Sequence, residues 1–495
     1  MSIYEELYYA TWALVFGLSA WFVYSVATNP LRHVPGPFYT RITEVPLKIA
    51  VASGHRTAFI HRLHLRYGKT VRVSPRELST IDLEALKTIY AQGSTCIKDE
   101  QLYESAQIDP VHTGVFSMAK KEDHARRRRI LSPAFARATV EQHEQFITEK
   151  VQNLVAKLRA KKGETVDVLA MWRLFTADVV VMASLGTDLK MTESASVHPF
   201  VMDVDSAMTM SILRSAIGGT VYDAAQLIAK RVLSGGNKIR RAFEARERAL
   251  HSFGAPLVNQ YKATVGHDPN SKEIVSRLLG GMSLKDKPLS MGDVIADSIN
   301  MLIAGTDTTS TTLTYLTYRL LSNPREYGLI HDELVAVFDE HDGAPSLKTL
   351  EKLPHLQRAI RETLRLHSAA PGTLPRITQG QGIMVEHYHI PAGYCVGAQA
   401  HSVHRDASIW GQDAEEWRPQ RWESLTKQQE EAFRPTSCPG QTLAYIEATM
   451  AAAYIFRYFR GQLAPGFTEA QMDHRDFFLL VPAGHACKVV LTPVA

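Results

Sequence analysis

Cysteine is scarce in this chain: four residues in 495, at positions 96, 395, 438 and 487, with no Cys-x-x-Cys pair. That spacing excludes a zinc ribbon and a disulfide framework and fits a reducing compartment. Charge of one sign is also in short supply. A net charge of +4 gives no case for a nucleic-acid partner, so any basic docking surface must be local. No internal repeat or low-complexity tract is present. No Gly-x-Gly-x-x-Gly follows a strand-like run, so the chain does not bind a nicotinamide dinucleotide itself. Tyr67-Gly68-Lys69-Thr70 mimics the end of a phosphate loop, but Leu63 stands where that motif needs its first glycine. With 45% hydrophobic and 21% charged residues, the composition is that of a folded globular chain, and the length suits one large enzyme domain.

One long apolar run without a charged residue stands out, Leu7 to Ala27. As a helix this run spans about 31 Å, enough to cross the hydrocarbon core of a bilayer. Trp12, Trp21 and Tyr24 suit its interfaces. A signal peptide is the rival reading, since Ser25-Val26-Ala27 has the small-x-small form of a cleavage site. The acidic start (Glu5, Glu6) and the length of the run favour an uncleaved anchor. Arg32, Arg41 and Lys48 follow it, which puts the bulk of the protein on the cytoplasmic side. The expected organisation is a membrane anchor over 1–29, a proline-rich hinge over 30–40 carrying Pro35-Gly36-Pro37, and a single domain over 41–495.

Past the hinge, Thr70 to Ser74 alternates like a short strand closed by Pro75. Glu122 to Arg129 opens a helix broken near Pro133. Most of its charges belong on a solvated face, but four consecutive arginines cover every side of a turn, so at least one points inward. Residues 140–283 read as amphipathic helices without identifiable chemistry. Ser290-x-x-Asp293 has the form of a capping box. The helix it opens is expected to run to about Ser322, with Ala304-Gly305-Thr306-Asp307-Thr308-Thr309 at its centre. Glycine and threonine are poor helix formers, so that centre is costly for a purely structural helix.

Glu362 and Arg365 stand three apart on one face of a helix ending near Leu366, among apolar neighbours that predict burial. A buried pair needs a further partner, and Pro419-x-Arg421 offers one. Cys438 and Gly440 precede an apolar helix from Gln441 to about Phe459. A helix N-terminus favours the thiolate, and a thiolate suits a soft metal; a lone cysteine there is more often a buried structural one.

Taken in chain order, Ala304-Gly305-x-Asp307-Thr308-Thr309, Glu362-x-x-Arg365, Pro419-x-Arg421 and Cys438-x-Gly440 resemble the cytochrome P-450 (haem-thiolate monooxygenase) family. The resemblance runs from Pro35 to the C-terminus. It implies a mostly α fold with small β-sheets, preceded by one N-terminal transmembrane helix. It implies haem whose iron is ligated by the Cys438 thiolate, with Gly440 beside it and with Ala304 and Gly305 making room on the other face. Asp307 and Thr308 would relay protons. His124 and Arg128, at the positions of the family's Trp-x-x-x-Arg, and Arg376 would hold the propionates. Glu362, Arg365 and Arg421 would brace the cysteine loop. Electrons would come from an NADPH-dependent reductase, and the substrate would be a lipophilic small molecule of fungal secondary metabolism. The expected location is the endoplasmic-reticulum membrane, single-pass, with the catalytic domain in the cytoplasm.

The chain departs from the family in one place. The family pattern before the cysteine is Phe-x-x-Gly-x-Arg-x-Cys-x-Gly. Here Phe433 lies five residues before Cys438 rather than seven, Arg434 stands where Gly is expected, and Thr436 stands where Arg is expected. The resemblance implies a gap of roughly five residues. Pro435 also restricts Arg434 to extended backbone. The expectation is that the sequence as written holds haem weakly or not at all. The alternative is a non-catalytic relative of the same fold acting as a binding protein. The intact Asp307-Thr308 pair argues against that, and against an isomerase or dehydratase.

Overall fold

The computed structural model of the chain describes residues 3–107, 109, 111–161, 163–194, 196–433 and 438–494. Helices dominate it. Those that position the site are, in chain order, α1 (Ile3–Thr28), α2 (Val45–Ala52), α3 (Arg56–Tyr67), α4 (Lys121–Leu131), α5 (Val168–Leu185), α6 (Pro199–Ile217), α7 (Met291–Leu321), α8 (Pro354–Leu366), α9 (Lys427–Phe433) and α10 (Gln441–Tyr458).

Twelve short strands are described: β1 (Thr70–Ser74), β2 (Glu77–Thr80), β3 (Ile97–Lys98), β4 (Thr165–Asp167), β5 (Arg376–Ile377), β6 (Ile383–Val385), β7 (Tyr388–Ile390), β8 (Cys395–Gly397), β9 (Phe459–Leu463), β10 (His474–Phe477), β11 (Leu479–Pro482) and β12 (Lys488–Pro493). The largest sheet has the order β1-β2-β8-β5-β3. β2 and β8 run parallel, and the remaining pairs in this sheet are antiparallel. β4, β12 and β9 form a second sheet, and β6-β7 and β10-β11 are hairpins. The sheets lie near the N-terminus, after Arg365 and at the C-terminus, as expected.

Leu7–Thr28 within α1 is apolar and long enough to cross a bilayer, and none of it is buried. Residues 30–40 behave less like a free hinge than their prolines suggest. The buried Arg72 on β1 donates Nη1 to Leu31 O (2.7 Å) and Val34 O (2.8 Å), and Nε to Thr40 Oγ1 (3.0 Å). One guanidinium thus pins the segment to the sheet.

The core is built round α7. Its N-terminus is the capping box read from sequence: Asp293 N donates to Ser290 Oγ (3.1 Å) and Ser290 N to Asp293 Oδ2 (2.9 Å). Its 31 residues extend about 46 Å. The costly centre is tolerated because its hydroxyls bond back to the helix itself, Thr306 to Leu302 O (2.7 Å) and Thr312 to Thr308 O (3.0 Å). α5 lies along α7, and Gly305 marks the closest approach: a Cβ there would overlap Val180 of α5. Gly305 is therefore small for helix packing, while Ala304 is the exposed residue at this level. α10 is buried along most of its length and joins α5, α7 and α8 in one apolar cluster. Its observed range matches the expected start at Gln441.

Candidate functional site

The brace is the best-formed part of the site. Glu362 and Arg365 are fully buried on α8. Arg365 donates Nε and Nη2 to the two Glu362 oxygens (2.9 and 2.8 Å) and its other donors to the carbonyls of His404 (2.5 Å), Ala414 (2.7 Å) and Glu416 (3.0 Å). Arg421 donates Nε to Glu362 Oε1 (2.8 Å). Two partners went unread in the sequence: Arg418 N (2.9 Å) and Trp422 Nε1 (2.9 Å) also donate to Glu362. Burial alone would raise the Glu362 carboxyl; the hydrogen bonds and charges of Arg365 and Arg421 outweigh it and hold the group below its ordinary value. Trp422 carries the brace onward, meeting the ring of Phe433 edge-on at 4.6 Å. Phe433 closes α9, so the approach to the cysteine starts from a braced aromatic. Arg434, Pro435 and Thr436 lie outside the described residues.

Cys438 is solvent-accessible and lies just before α10. Its thiol sits above its ordinary value. The protein packed round the sulfur pushes it up, and the N–H groups of Gly440 and Gln441, with Arg128, pull it down by less. The helix N-terminus acts in the direction expected from sequence, and burial outweighs it. Gly440 is the residue preceding α10, and a Cβ there would stand 3.9 Å from Cys438 Sγ.

Arg128, whose charge reaches the Cys438 thiol, belongs to a basic cluster. β3 pairs with β5 so that Lys98 is directly opposite Arg376. Like charges opposed across a ladder are destabilising unless an anion joins them. Burial, with the charges of Lys98, Arg128 and Arg376, holds the His124 imidazole down at about 4. Burial, Arg376 and Arg128 likewise lower Lys98 to about 7. Lys98 also donates to Phe116 O (2.7 Å), and Arg376 Nη1 to Tyr103 Oη (2.9 Å). His124, Arg128 and Arg376 are the residues expected here; Lys98 is an addition, joined to Arg376 by a strand register that spans 278 residues. The fully inward arginine of α4 is Arg127. It pairs with the buried Asp297 and with Asp293 (3.2 Å), tying α4 to α7.

On α7, Asp307 and Thr308 point to different neighbours. Asp307 is buried and paired with Arg173 of α5 (3.2 Å), which also donates to Asp205 of α6 (2.8 Å). Burial raises the Asp307 carboxyl to about 6; Arg173 opposes this and Asp205 adds to it. Thr308 is partly accessible and bonds to Ala304 O (2.8 Å). Neighbouring Thr309 faces Glu447 of α10, a buried acid whose carboxyl is driven well above its ordinary value by desolvation. Arg173 and Glu447 carry no motif that sequence reading had recognised.

Among the described residues, no three His, Cys, Asp or Glu side chains converge as a metal cage. A metal on Cys438 must bring its other ligands with it, as a macrocycle does. Carboxylates carried on that macrocycle would also supply the negative charge that the Lys98–Arg376 pair needs. The described residues fit haem on both counts.

The cytochrome P450 family model matches residues 35–489. The chain belongs to the cytochrome P450 family. P450 proteins carry haem iron with a cysteine thiolate ligand. Cytochrome P450 monooxygenase tazI of Aspergillus terreus is 29% identical over 478 residues, covering 94% of this chain and 95% of the relative. Cytochrome P450 monooxygenase stcB of Emericella nidulans is 28% identical, with 94% and 89% covered. Benzoate 4-monooxygenase bphA of Aspergillus niger is 26% identical, with 92% of each covered. These P450 relatives establish the chain as a monooxygenase homologue whose family acts on small molecules with reductase partners.

Proposed function

We propose that the chain is a membrane-anchored P450 monooxygenase that inserts one oxygen atom from O2 into a lipophilic small molecule, in secondary-metabolite biosynthesis, with electrons from an NADPH-dependent reductase. The observation that carries this reading is the cluster of Lys98, His124, Arg128 and Arg376, with the charge of Arg128 reaching the Cys438 thiol. When bound, haem supplies oxygen activation at an iron whose thiolate ligand favours O–O cleavage. Cys438 would be that ligand. Lys98, His124, Arg128 and Arg376 would hold the propionate carboxylates. Ala304, exposed where Gly305 turns to α5, gives the flat face. Asp307, raised to about 6, is matched to holding and passing a proton near neutral pH. Arg173, bridging Asp205 and Asp307, would set when it does so. Thr308 would hand the proton on. The anchor over 1–29 would keep the domain at the endoplasmic-reticulum membrane, facing the cytoplasm.

A haem-deficient binding protein is the second reading, favoured by the approach to the cysteine. Phe433 is held by Trp422, and only four residues separate it from Cys438. Those links reach at most about 18 Å when extended, which leaves little chain for a bulge. Two versions decide between the readings: the chain as written, and one with Phe-Ser-x-Gly-x-Arg in place of Thr436. Reduced, carbon-monoxide-bound spectra report thiolate-ligated haem. A full red-shifted band from the repaired chain alone makes the chain as written the haem-deficient binding protein. The same band at stoichiometric haem from the chain as written refutes the loop argument and leaves the monooxygenase reading intact.

A further inference from the structure

A cavity of about 120 Å³ opens between α2, α3, β2 and the C-terminal end of α6. Its apolar side includes Leu102, Ile212 and Phe478. Its polar side is Arg56, Glu77, Asp99 and Asp476. Lys48 and Glu44 also reach it but pair with each other (2.6 Å). One guanidinium therefore faces three carboxylates. Arg56 is ion-paired with Glu77, which leaves Asp99 and Asp476 without a cation of their own among the described residues. Asp99 caps the helix Glu100–Ser105, accepting from Gln101 N (3.2 Å). Asp476 accepts from Thr57 Oγ1 and from Phe478 N (3.0 Å). Those bonds fix both carboxyl groups in place. Glu77, Asp99 and Asp476 all sit above their ordinary carboxyl values, mainly through burial.

A second observation points to a ligand. Thr373 lines the cavity, is 3% exposed, and its Oγ1 has no hydrogen-bond partner among the described residues. The cavity also adjoins the candidate site. Pro375 lines it and Arg376 is the next residue. From Phe478 an aromatic path runs to Phe116 (5.3 Å) and on to Tyr103 (5.2 Å), the phenol bound to Arg376.

We propose that this cavity receives the polar end of the substrate, and that this end is a hydrogen-bond donor without negative charge, a hydroxyl or an organic cation. Fixed carboxylates in excess of cations attract donors and repel a carboxylate. The volume suits a functional group rather than a whole molecule, and the apolar wall receives the carbon skeleton attached to that group. The assignment excludes aromatic acids, the class named for the Aspergillus niger relative. It rests on the monooxygenase reading only in taking the cavity as part of the substrate space.

The test is isothermal titration of full-length protein in detergent with three matched probes: 2-phenylethanol, phenethylguanidinium and 3-phenylpropanoate. Both donor probes are expected to bind at least about tenfold more tightly than the propanoate, since a like charge is penalised in a partly desolvated site. Asp99→Asn keeps the helix cap, because Asn caps as well as Asp. It should weaken phenethylguanidinium by about tenfold, narrow its lead over the propanoate, and leave 2-phenylethanol nearly unchanged. Glu77→Gln should do the same, and covers the case in which Asp99→Asn misfolds by circular dichroism. Equal binding of propanoate and donors, no binding of any probe, or an undiminished phenethylguanidinium lead over the propanoate in both variants overturns the proposal. A carbon-monoxide spectrum of the same preparation keeps the two readings apart. The expected probe order without a thiolate band leaves the cavity chemistry standing and removes the monooxygenase.

Discussion

Replacing Arg365 with alanine tests whether the brace holds the cysteine end of the molecule. The substitution deletes two hydrogen bonds to Glu362 and three to the carbonyls of His404, Ala414 and Glu416. Glu362 keeps Arg421 Nε, Arg418 N and Trp422 Nε1, so it is not left bare. Removing one partner of a buried pair costs about 3–5 kcal/mol. The remaining cation moves the cost to the low end, and the stranded carbonyls, at about 1 kcal/mol or more each where water does not reach them, move it back up. We expect about 3–5 kcal/mol in all, with haem retention lost as Trp422 and Phe433 loosen. Arg365→Lys keeps the charge without the planar fork and should fall between. If the underpaired Glu362 charge is the main penalty, Glu362→Gln in the Arg365→Ala background should recover part of it. The assay is the thermal midpoint of the full chain together with its carbon-monoxide spectrum. An Arg365→Ala protein with the wild-type midpoint and haem content refutes the reasoning.

Thr308→Ala removes a hydroxyl whose protein partner is Ala304 O on its own helix, so the fold should be unchanged. Substrate should still bind while oxygen is consumed without matching product; unchanged coupling in a reconstituted assay places proton delivery elsewhere. Deleting residues 1–29 should release the protein from membranes without lowering its thermal midpoint, since none of Leu7–Thr28 is buried. Full-length protein found in the soluble fraction without detergent refutes the anchor. Acid should destabilise the chain through its buried histidines. Burial holds His64 and His404 at about 4 and His474 at about 3, against 6.5 for the free side chain. The unfolded state then binds protons first as pH falls. The stabilisation is fully present above about pH 6.5 and is lost toward pH 4 and below, at about 1.4 kcal/mol per pH unit for each group. Asp307, raised to about 6, acts in the opposite direction between pH 6 and 3.8, as do the raised carboxyls of Glu77, Asp99, Asp476 and Glu447, so the histidine contribution is read from a variant rather than from the whole acid limb. His474→Asn should make the acid limb of midpoint against pH shallower; an unaltered limb refutes the assignment.

Features encoded within a few residues were legible before any coordinates. The capping box at Ser290, the three-residue spacing of Glu362 and Arg365, and the start of α10 at Gln441 depend on helix geometry alone. So did the poor helix formers at 304–309, although the sequence did not show that Gly305 would turn to α5 and Ala304 away from it. Tertiary structure decided everything that needs two distant segments to meet. Lys98 joins Arg376 through strand register, Arg173 joins Asp307 through helix packing, and Arg127 rather than Arg128 is the arginine driven fully inside. The same holds for the charges. Whether Cys438 sits above or below its ordinary value is a sum of desolvation, two amides and a remote arginine. Local sequence names the amides, but burial and distance, which set the size of each contribution, exist only once the chain has folded.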